Sequence, residues 1–445
     1  MKKQTFLVLL MSALLVTGCA KPAAPESSEP EQPSSTEVTP SEEPSSAPEE
    51  DSSEPVEQSS VQPTTSNNQP ASSNGGQQSS LQPMSYGPSS GVAQSLTAPE
   101  NDIHTDLQYS YVKDPDWRNI KAYIPTVTAE GGRNIQDLSK PKAINLKFDE
   151  LENASTYYVQ VSKDSSFQNA DTFTTTAKQY ELWNAEIGTK YYYRASVSEA
   201  TLASAAVKEY EVADLAPRNL KIDGVINFRD VGGWKSSLVP NGVIKQGLYY
   251  RCAQFNNGNT KNITAAGLAE IKRLNIRVDI DMRDSRNVPS TSPLNTTEHP
   301  VEILKASVAS STEDGRWEGT HRLDTGIAAT YKKIFEAMAV ADQKPIALHC
   351  THGADRTGIV SFFLLAVCGV SIEDCGRDYC LTRFAGERAV LPNVEFDNWV
   401  NKTIALPGVT FADKMYYHLN HDFNISVDTL ETIRELYVPG YTRAA

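Results

Sequence analysis

Residues 349–358 read HCTHGADRTG, and this stretch indicates the architecture of the C-terminal half of the 445-residue chain. It follows Pro345 to His349, a short apolar run typical of a buried strand, and precedes helical periodicity from Thr357 to Val367. Open α/β sheets bind ligands at this position, between the carboxyl end of a strand and the amino end of the next helix. The stretch therefore predicts a ligand site on an α/β domain.

The residue types in this loop suit a tetrahedral anion. Backbone N–H groups converge at a helix N-terminus and are backed by the positive end of the helix dipole. Gly353 lets the backbone turn closely, and Arg356 offers a planar, two-pronged donor for two phosphate oxygens. The same field lowers the pKa of the Cys350 thiol, so we expect thiolate attack on phosphorus and hydrolysis of a cysteinyl-phosphate. The residues that we expect around the substrate are Thr351, His352, Gly353, Ala354 and Gly358.

The pattern around this loop alternates strands with helices after Pro217. Arg277 to Met282 has the pattern of another short buried strand, and helical periodicity covers Thr264 to Leu274 and Gly326 to Val340. Alternation of this kind predicts that residues 216–445 form an α/β domain, with helices on both faces of a largely parallel sheet.

Four motifs together resemble a bacterial family of tyrosine phosphatases. The loop at 349–358 resembles the family's CX5R signature followed by Thr or Ser. NFRDVGG at 227–233, GLYYRCA at 247–253 and DMR at 281–283 resemble further family motifs in the same order. The family's activities include hydrolysis of phosphotyrosine, phosphoserine or phosphothreonine, and phosphoinositides. The resemblance implies a cysteine-dependent phosphomonoester hydrolase of the tyrosine or dual-specificity type.

The resemblance also implies catalytic roles. Cys350 would be the nucleophile, and Arg356 would bind the phosphoryl oxygens and stabilise the transition state. Thr357 would donate a hydrogen bond to the sulfur and ease its departure in the second step. His349 would order the loop, and a histidine satisfied within the core is an equal alternative.

Three carboxylates are candidates for the acid that protonates the leaving oxygen, a role worth about 10²–10⁴ in rate. The resemblance favours Asp355, whose alternative role is to pair with an arginine. Asp281 ranks second and Asp314 third. The family often has lysine where this chain has Ala354, which weakens an inference of phosphoinositide substrates; His352 could partly replace that charge.

Arg229 and Asp230 lie in the NFRDVGG motif, where they could touch substrate or form a structural ion pair that holds the first loop against the sheet. We favour the structural role.

Residues 141–215 have the alternating pattern of an antiparallel β-sandwich. Ile187 to Tyr191 resembles the start of a strand in a fibronectin type III domain, where a tyrosine ties the strand to the preceding loop. The alternative is a β-rich subdomain integral to the enzyme. We expect a spacer or binding module, and the sequence identifies no ligand for it. Residues 101–140 are an unassigned lead-in.

The N-terminus has the pattern of a processing signal over residues 1–19. Lys2 and Lys3 precede an apolar stretch from Phe6 to Val16, and Cys19 follows small residues as in the lipobox of bacterial lipoproteins. This resemblance implies acylation of Cys19 and a membrane-lipid partner outside the cytoplasm. The alternative is an ordinary secretory signal. Residues 20–100, rich in Ser, Pro and Glu, predict a disordered linker.

Charge and cysteine content argue against a nucleic-acid-binding protein and against a fold held by a disulfide framework. Residues 21–100 hold twelve acidic residues and one lysine, so this segment carries most of the formal charge of −14. The remainder shows no basic stripe, and we expect no nucleic-acid partner. The four cysteines without an assigned role favour free buried thiols over a disulfide framework, although a Cys375–Cys380 bridge is conceivable. They are Cys252, Cys368, Cys375 and Cys380.

We therefore expect an extracytoplasmic, lipid-anchored phosphatase that needs no metal and no cofactor and acts on a phosphorylated protein or a small phosphomonoester. One alternative is an inositol-polyphosphate or other small-molecule phosphatase, which a strongly basic pocket mouth would favour. Another is a surface-binding protein with a vestigial phosphatase domain, although the intact Cys350, Arg356 and Thr357 argue against decay. A sulfurtransferase fits the upstream motifs poorly.

Overall fold

The computed structural model describes residue 89 and residues 91–125, 137–256, 262–308, 325–386 and 391–443. The predicted signal with Cys19, most of the predicted linker, and Asp314 lie outside the described residues. Within these ranges, no helix combines the length and the apolar character that a bilayer span requires.

The lead-in segment, which we define as residues 91–125 and 137–142, is helical in part. It contains α1 (Asp106–Val112), a 3-10 helix (Trp117–Asn119) and α2 (Ile120–Tyr123). Thr105 and Gln108 form a capping box that starts α1. The backbone N–H of Leu96 donates to Ser110 at 2.8 Å. Contacts of this kind begin inside the range predicted as linker.

Two antiparallel sheets follow the lead-in segment. One pairs β1 (Ile144–Lys147) with β4 (Gln179–Leu182), and the other has the order β3-β2-β5-β6. The second sheet consists of β2 (Tyr157–Ser162), β3 (Asp171–Thr175), β5 (Lys190–Ser196) and β6 (Lys208–Glu211), with α3 (Glu199–Leu202) between the last two. Buried and partly exposed side chains alternate along β2 and β5, as the sequence pattern predicts for half-buried strands. The Tyr191 hydroxyl accepts from the Glu186 N–H at 2.8 Å and ties β5 to the preceding loop.

A mixed sheet forms the centre of the C-terminal domain, and the predicted α/β class is confirmed. Among the described residues its order is β13-β12-β14-β11-β8-β7. The first four strands in this order pair in parallel, and β8 and β7 are antiparallel at the edge. The strands are β7 (Arg218–Asn219), β8 (Arg229–Asp230), β11 (Tyr249–Cys252), β12 (Val278–Asp281), β13 (Glu302–Lys305) and β14 (Ile346–His349), and a separate hairpin is formed by β9 (Lys235–Ser236) and β10 (Gly242–Val243).

Helices cover both faces of this sheet. Ile346 and Leu348 of β14 join one apolar cluster, and Ala347 between them joins another on the opposite face. α4 packs Ile271 into the second cluster, while α5 and α6 pack Tyr331 and Phe362 into the first. These and the remaining helices are α4 (Ala265–Arg273), α5 (Thr325–Met338), α6 (Asp355–Val367), α7 (Ile372–Leu381), α8 (Val394–Ile404), α9 (Phe411–His421) and α10 (Val427–Tyr437), with a 3-10 helix (Thr382–Ala385) after α7.

Arg218 joins the α/β domain to the region of the two antiparallel sheets, β1 to β6, which we call the two-sheet region. Its side chain is buried, and its Nε and Nη2 donate to the carbonyls of Ala185 and Asn184 at 3.1 and 2.7 Å. Its Nη1 binds the buried carboxylate of Asp230 at 3.0 Å. A cleft of about 420 Å³ runs along this junction. Because a buried charge is stable only when paired and hydrogen-bonded, the Arg218–Asp230 pair fixes how the two regions meet.

Candidate active site

Residues 350–355, which the sequence predicts to bind phosphate and which we call the phosphate-binding loop for that reason, run from the end of β14 to the first residue of α6. Ala354 is the N-cap residue of α6 and supplies no side-chain cap, so the first backbone N–H groups of the helix lack the usual side-chain acceptor. Donors of this kind at a helix N-terminus, with the positive end of the dipole behind them, bind oxyanions. The arrangement therefore offers an anion site directly beside Cys350.

Cys350 is buried, with 3% of its surface exposed. Burial alone would raise the pKa of its thiol, but the Arg356 guanidinium and hydrogen bonds from Thr357 lower it, and the net pKa lies below that of an ordinary cysteine. The buried Thr357 hydroxyl has no aligned hydrogen-bond partner among the described residues, but it lies close enough to Cys350 to lower the pKa of the thiol. The site favours a thiolate.

Arg356 is held in place by backbone carbonyls that follow two strands. Its Nη1 donates to the carbonyls of Met282 and Val308 at 3.0 and 2.8 Å, just beyond the ends of β12 and β13. Its Nη2 lies 3.5 Å from the Thr351 hydroxyl. Arg356 as a whole is 6% exposed, and the bonds to Met282 and Val308 hold its guanidinium in the interior rather than in bulk water.

Gly353 is the one loop position where a side chain cannot fit. Its φ is +67°, and a Cβ atom there would lie 2.2 Å from the carbonyl oxygen of Cys252. Both the left-handed backbone and the close approach to β11 require glycine. The predicted tight turn is thus present. Gly358, in contrast, already donates its N–H to Ala354, and a Cβ atom would lie 2.5 Å from the Tyr379 ring. Packing against Tyr379 therefore requires glycine at this position, and the substrate contact of Gly358 stays a prediction.

A buried polar network holds the loop from behind. The Asn227 side-chain amide donates to the carbonyls of His352 and Gly353, both at 3.1 Å, and Arg251 donates to the Gly353 carbonyl at 2.8 Å. Arg229 and Arg251 both bind the buried carboxylate of Asp378 on α7, at 2.8 and 2.6 Å. Burial alone would raise the pKa of Asp378, but these two guanidinium groups lower it. Arg229 thus supports the loop through Asn227 and Asp378.

Asp230 lies away from the loop. Its partner is Arg218, and it also accepts from the backbone N–H groups of Gly232 and Gly247. The structural role favoured for Arg229 and Asp230 is therefore the one that the structure gives them. They do not pair with each other, however, because each has a separate partner in the core.

His349 stands between the loop and two carboxylates. Its Nδ1 lies 3.0 Å from the Cys350 carbonyl, and its Nε2 lies 3.1 Å from Asp279, an ion-pair distance without hydrogen-bond alignment. Burial alone would lower the pKa of His349, but Asp279 and, more weakly, Asp281 raise it. The histidine is buried and acts on the loop backbone, which agrees with an ordering role.

The two described candidates for the general acid differ in accessibility. Asp281 is buried and bound by Arg283, with Nη2 to Oδ2 at 2.6 Å, so its carboxylate is engaged in the core. Asp355 is exposed in the first turn of α6 and accepts from the Tyr379 hydroxyl at 3.2 Å. The Ala354 side chain beside it is buried, while Thr351 and His352 are partly exposed. Of these two candidates, Asp355 is the one whose carboxylate is exposed to solvent.

The sequence reasoning missed the support of the loop by α7. Asp378, Tyr379 and Thr382 carry no recognisable motif, although charged and hydroxyl residues at this spacing fall on one face of a helix. Five cysteines in the described ranges are buried free thiols, including Cys375 and Cys380, so the conceivable bridge between those two is absent.

Comparisons with known proteins agree with this geometry. A family model described as "Tyrosine phosphatase family" matches residues 220–439. A "Putative tyrosine-protein phosphatase" of Cupriavidus necator is 26% identical over 175 residues, which cover 36% of this chain and 62% of that protein's length. The resemblance drawn from the four motifs is confirmed for the tyrosine phosphatase family.

Two solved structures of TpbA from P. aeruginosa are also similar in part. One is 20% identical and covers 32% of this chain and 74% of its own, with a TM-score of 0.21. The other, a variant in complex with phosphotyrosine, is 19% identical and covers 33% and 76%, with a TM-score of 0.22. TM-scores of this size do not establish a shared fold.

Residues 220–439, about half of the chain, are thus similar to tyrosine phosphatases, and the chain spans less than two thirds of the curated relative's length. The lipoprotein signal and the fibronectin type III resemblance stay predictions.

Replacement of Thr357 by valine should raise the pKa of Cys350, because it removes a hydroxyl that stabilises the thiolate. In the native protein the lowered pKa keeps Cys350 ionised at mildly acidic pH. The variant should therefore contain less thiolate than the native protein under mildly acidic conditions. A hydrogen bond to a charged group contributes about 1.5 kcal/mol. Its loss should therefore slow the alkylation of Cys350 by iodoacetamide roughly tenfold at mildly acidic pH. Ser361→Ala is the matched control, since that hydroxyl lies one turn later and bonds to the Thr357 carbonyl. An unchanged alkylation profile in Thr357→Val would contradict this role.

Proposed function

We propose that this protein is a cysteine-dependent phosphomonoester hydrolase of the tyrosine or dual-specificity type. One observation carries the proposal: the buried Cys350 thiol has a lowered pKa beneath the open amino end of α6 and beside Arg356. A thiolate at the base of an oxyanion site is placed to attack a bound phosphoryl group.

The reaction proceeds in two displacements. The Cys350 sulfur forms a bond to phosphorus while the ester P–O bond breaks, and Asp355 gives its proton to the leaving oxygen. Water then attacks phosphorus, Asp355 takes up a proton, and the S–P bond breaks to release phosphate and thiolate. Arg356 and the loop N–H groups stabilise the charge on the phosphoryl oxygens in both steps, and Thr357 stabilises the departing sulfur.

Among the residues that the structure describes, the charges near the loop favour a monoester over a polyphosphate. Arg229 and Arg251 are both engaged by Asp378, and Arg283 is engaged by Asp281. Guanidinium groups held by buried carboxylates are not available for additional phosphates. Ala354 adds no positive charge where the resembling family often has lysine. These features support a phosphorylated peptide side chain as substrate and count against inositol polyphosphates.

The decisive variant is Cys350→Ser. It should abolish turnover of phosphotyrosine and phosphoserine peptides while phosphate binding is retained, because the loop amides and Arg356 remain. Cys368→Ser is the matched control: burial raises the pKa of that thiol to about 12, so it stays a thiol and its replacement should leave turnover intact. Faster hydrolysis of phytate or phosphoinositides than of phosphopeptides by the native protein would favour the alternative substrates, and activity in Cys350→Ser would refute the nucleophile.

Asp355→Asn should slow alkyl phosphates more than aryl phosphates. A phenolate leaves with little need of a proton, whereas an alkoxide leaves poorly without one, so loss of the acid falls mainly on the alkyl substrate. The measurement is kcat for an alkyl and an aryl phosphate with the native protein and the variant. Asp281→Asn serves for comparison, and equal losses on both substrates in Asp355→Asn would refute the assignment.

We also propose that Cys19 anchors the chain to a membrane by acylation, outside the cytoplasm, with the linker predicted at residues 20–100 as the tether and the two-sheet region as a fibronectin type III-like spacer. The motif around Cys19 supports the anchor. Replacement of Cys19 by serine should move the protein from the membrane fraction to the soluble fraction of a bacterial host. Retention of the variant in the membrane fraction would count against lipid attachment.

A further inference from the structure

We propose that the lead-in segment is a positioning element of the active site. It contacts the residues that support the phosphate-binding loop and holds them in place. The inference rests on the proposed cysteine-phosphatase function. The tyrosine phosphatase model begins at residue 220, so the lead-in segment lies outside the matched region and is a feature of this chain beyond the phosphatase domain.

The first route runs through Ser139. Its hydroxyl accepts from the backbone N–H of Asn227 at 3.1 Å and lies 2.5 Å from the Asp137 carboxylate, to which it donates. Asn227 has a φ of +58°, a left-handed conformation that asparagine tolerates better than most other non-glycine residues. The side chain of this asparagine binds the carbonyls of His352 and Gly353. Ser139 is thus connected to the loop by hydrogen bonds through a single intervening residue, Asn227.

The second route clamps α7. On one side of this helix, Asp378 binds Arg229 and Arg251 behind the loop. On the other side, a Cβ atom at Gly376 would lie 2.4 Å from the Trp117 ring, so the lead-in segment packs in direct contact with the helix backbone. Arg377 donates to the Tyr111 carbonyl at 3.0 Å. α7 therefore lies between the loop support and the lead-in segment, and its position depends on both.

The third route holds the 3-10 helix that follows α7. The N–H of Leu138 donates to the Phe384 carbonyl at 2.9 Å, and Arg383 donates to the Ile124 carbonyl at 2.6 Å. Thr382, at the start of this helix, bonds to Arg229 and Arg251. Gln108 on α1 holds residues 138–140, the lead-in side of the Leu138–Phe384 bond. Its side-chain amide donates to the carbonyls of Leu138 and Lys140 at 2.6 and 2.9 Å.

These routes converge on the two carbonyls, of His352 and Gly353, that set the direction of the loop. A site of this kind needs its groups held within roughly 0.5 Å, and that precision comes from the residues behind it. Loosening the lead-in segment should therefore weaken oxyanion binding and stabilise the thiolate less.

The test uses the full chain with Ser139→Ala, which removes the acceptor for the Asn227 N–H, and Gln108→Ala, which frees residues 138–140. Each should weaken inhibition by vanadate and lower kcat/KM by roughly three- to tenfold, the effect of about one lost buried hydrogen bond. Each should also shift the alkylation of Cys350 by iodoacetamide to higher pH. Ser139→Thr keeps the hydroxyl and should restore vanadate affinity and the alkylation profile.

Asn101→Ala is the matched control. It removes a side-chain amide bond of the lead-in segment that points to the Glu211 carbonyl in β6, away from α7. This variant should leave the vanadate affinity and the alkylation profile unchanged. If Ser139→Ala and Gln108→Ala match this control in both measurements and differ only in melting temperature, the positioning role is refuted and the lead-in segment is structural. Turnover by Cys350→Ser would instead refute the proposed function, so the two failures are distinguishable.

Discussion

The active site depends on keeping a buried sulfur ionised. A thiolate that loses its water shell is destabilised unless fixed donors and positive charge replace that water. Cys350 has both, because Arg356 and Thr357 act on it at the amino end of α6. The rest of the domain can be understood as a means of holding these few groups still.

Arg356 shows how the sheet contributes to that task. Its guanidinium is bound by carbonyls beyond the ends of β12 and β13, while the sulfur follows β14. Since neighbouring parallel strands end at one edge of the sheet, the fold brings the cation and the anion together without a long loop. The cost is a set of buried charges nearby, and Asp378 balances two of them by binding Arg229 and Arg251.

The sequence predicted the loop well and its supports poorly, for a physical reason. Cys350, Gly353 and Arg356 act through local geometry, so their spacing in the chain reveals them. Asp378 and Ser139 act through contacts with residues more than 80 positions away, and nothing in their own neighbourhoods marks those partners. The strands at 277–282 and 345–349 were located to within a residue because short apolar runs reflect burial directly. The motif predicts a substrate contact for Gly358, and the structure adds a packing reason for glycine that the sequence does not reveal, the nearby Tyr379 ring.

The junction at Arg218 has a bearing on how the molecule can be used. The cleft there is bordered by Leu248 and Pro345, which precede β11 and β14, whereas Cys350 follows β14. The two-sheet region therefore meets the parallel strands at their starting ends, at least one strand length, roughly 13 Å, from the sulfur. A ligand bound by that region would lie at the opposite end of the parallel strands from Cys350. Exchange of the two-sheet region for another module would therefore change what the chain binds at that end and leave the groups around the sulfur in place.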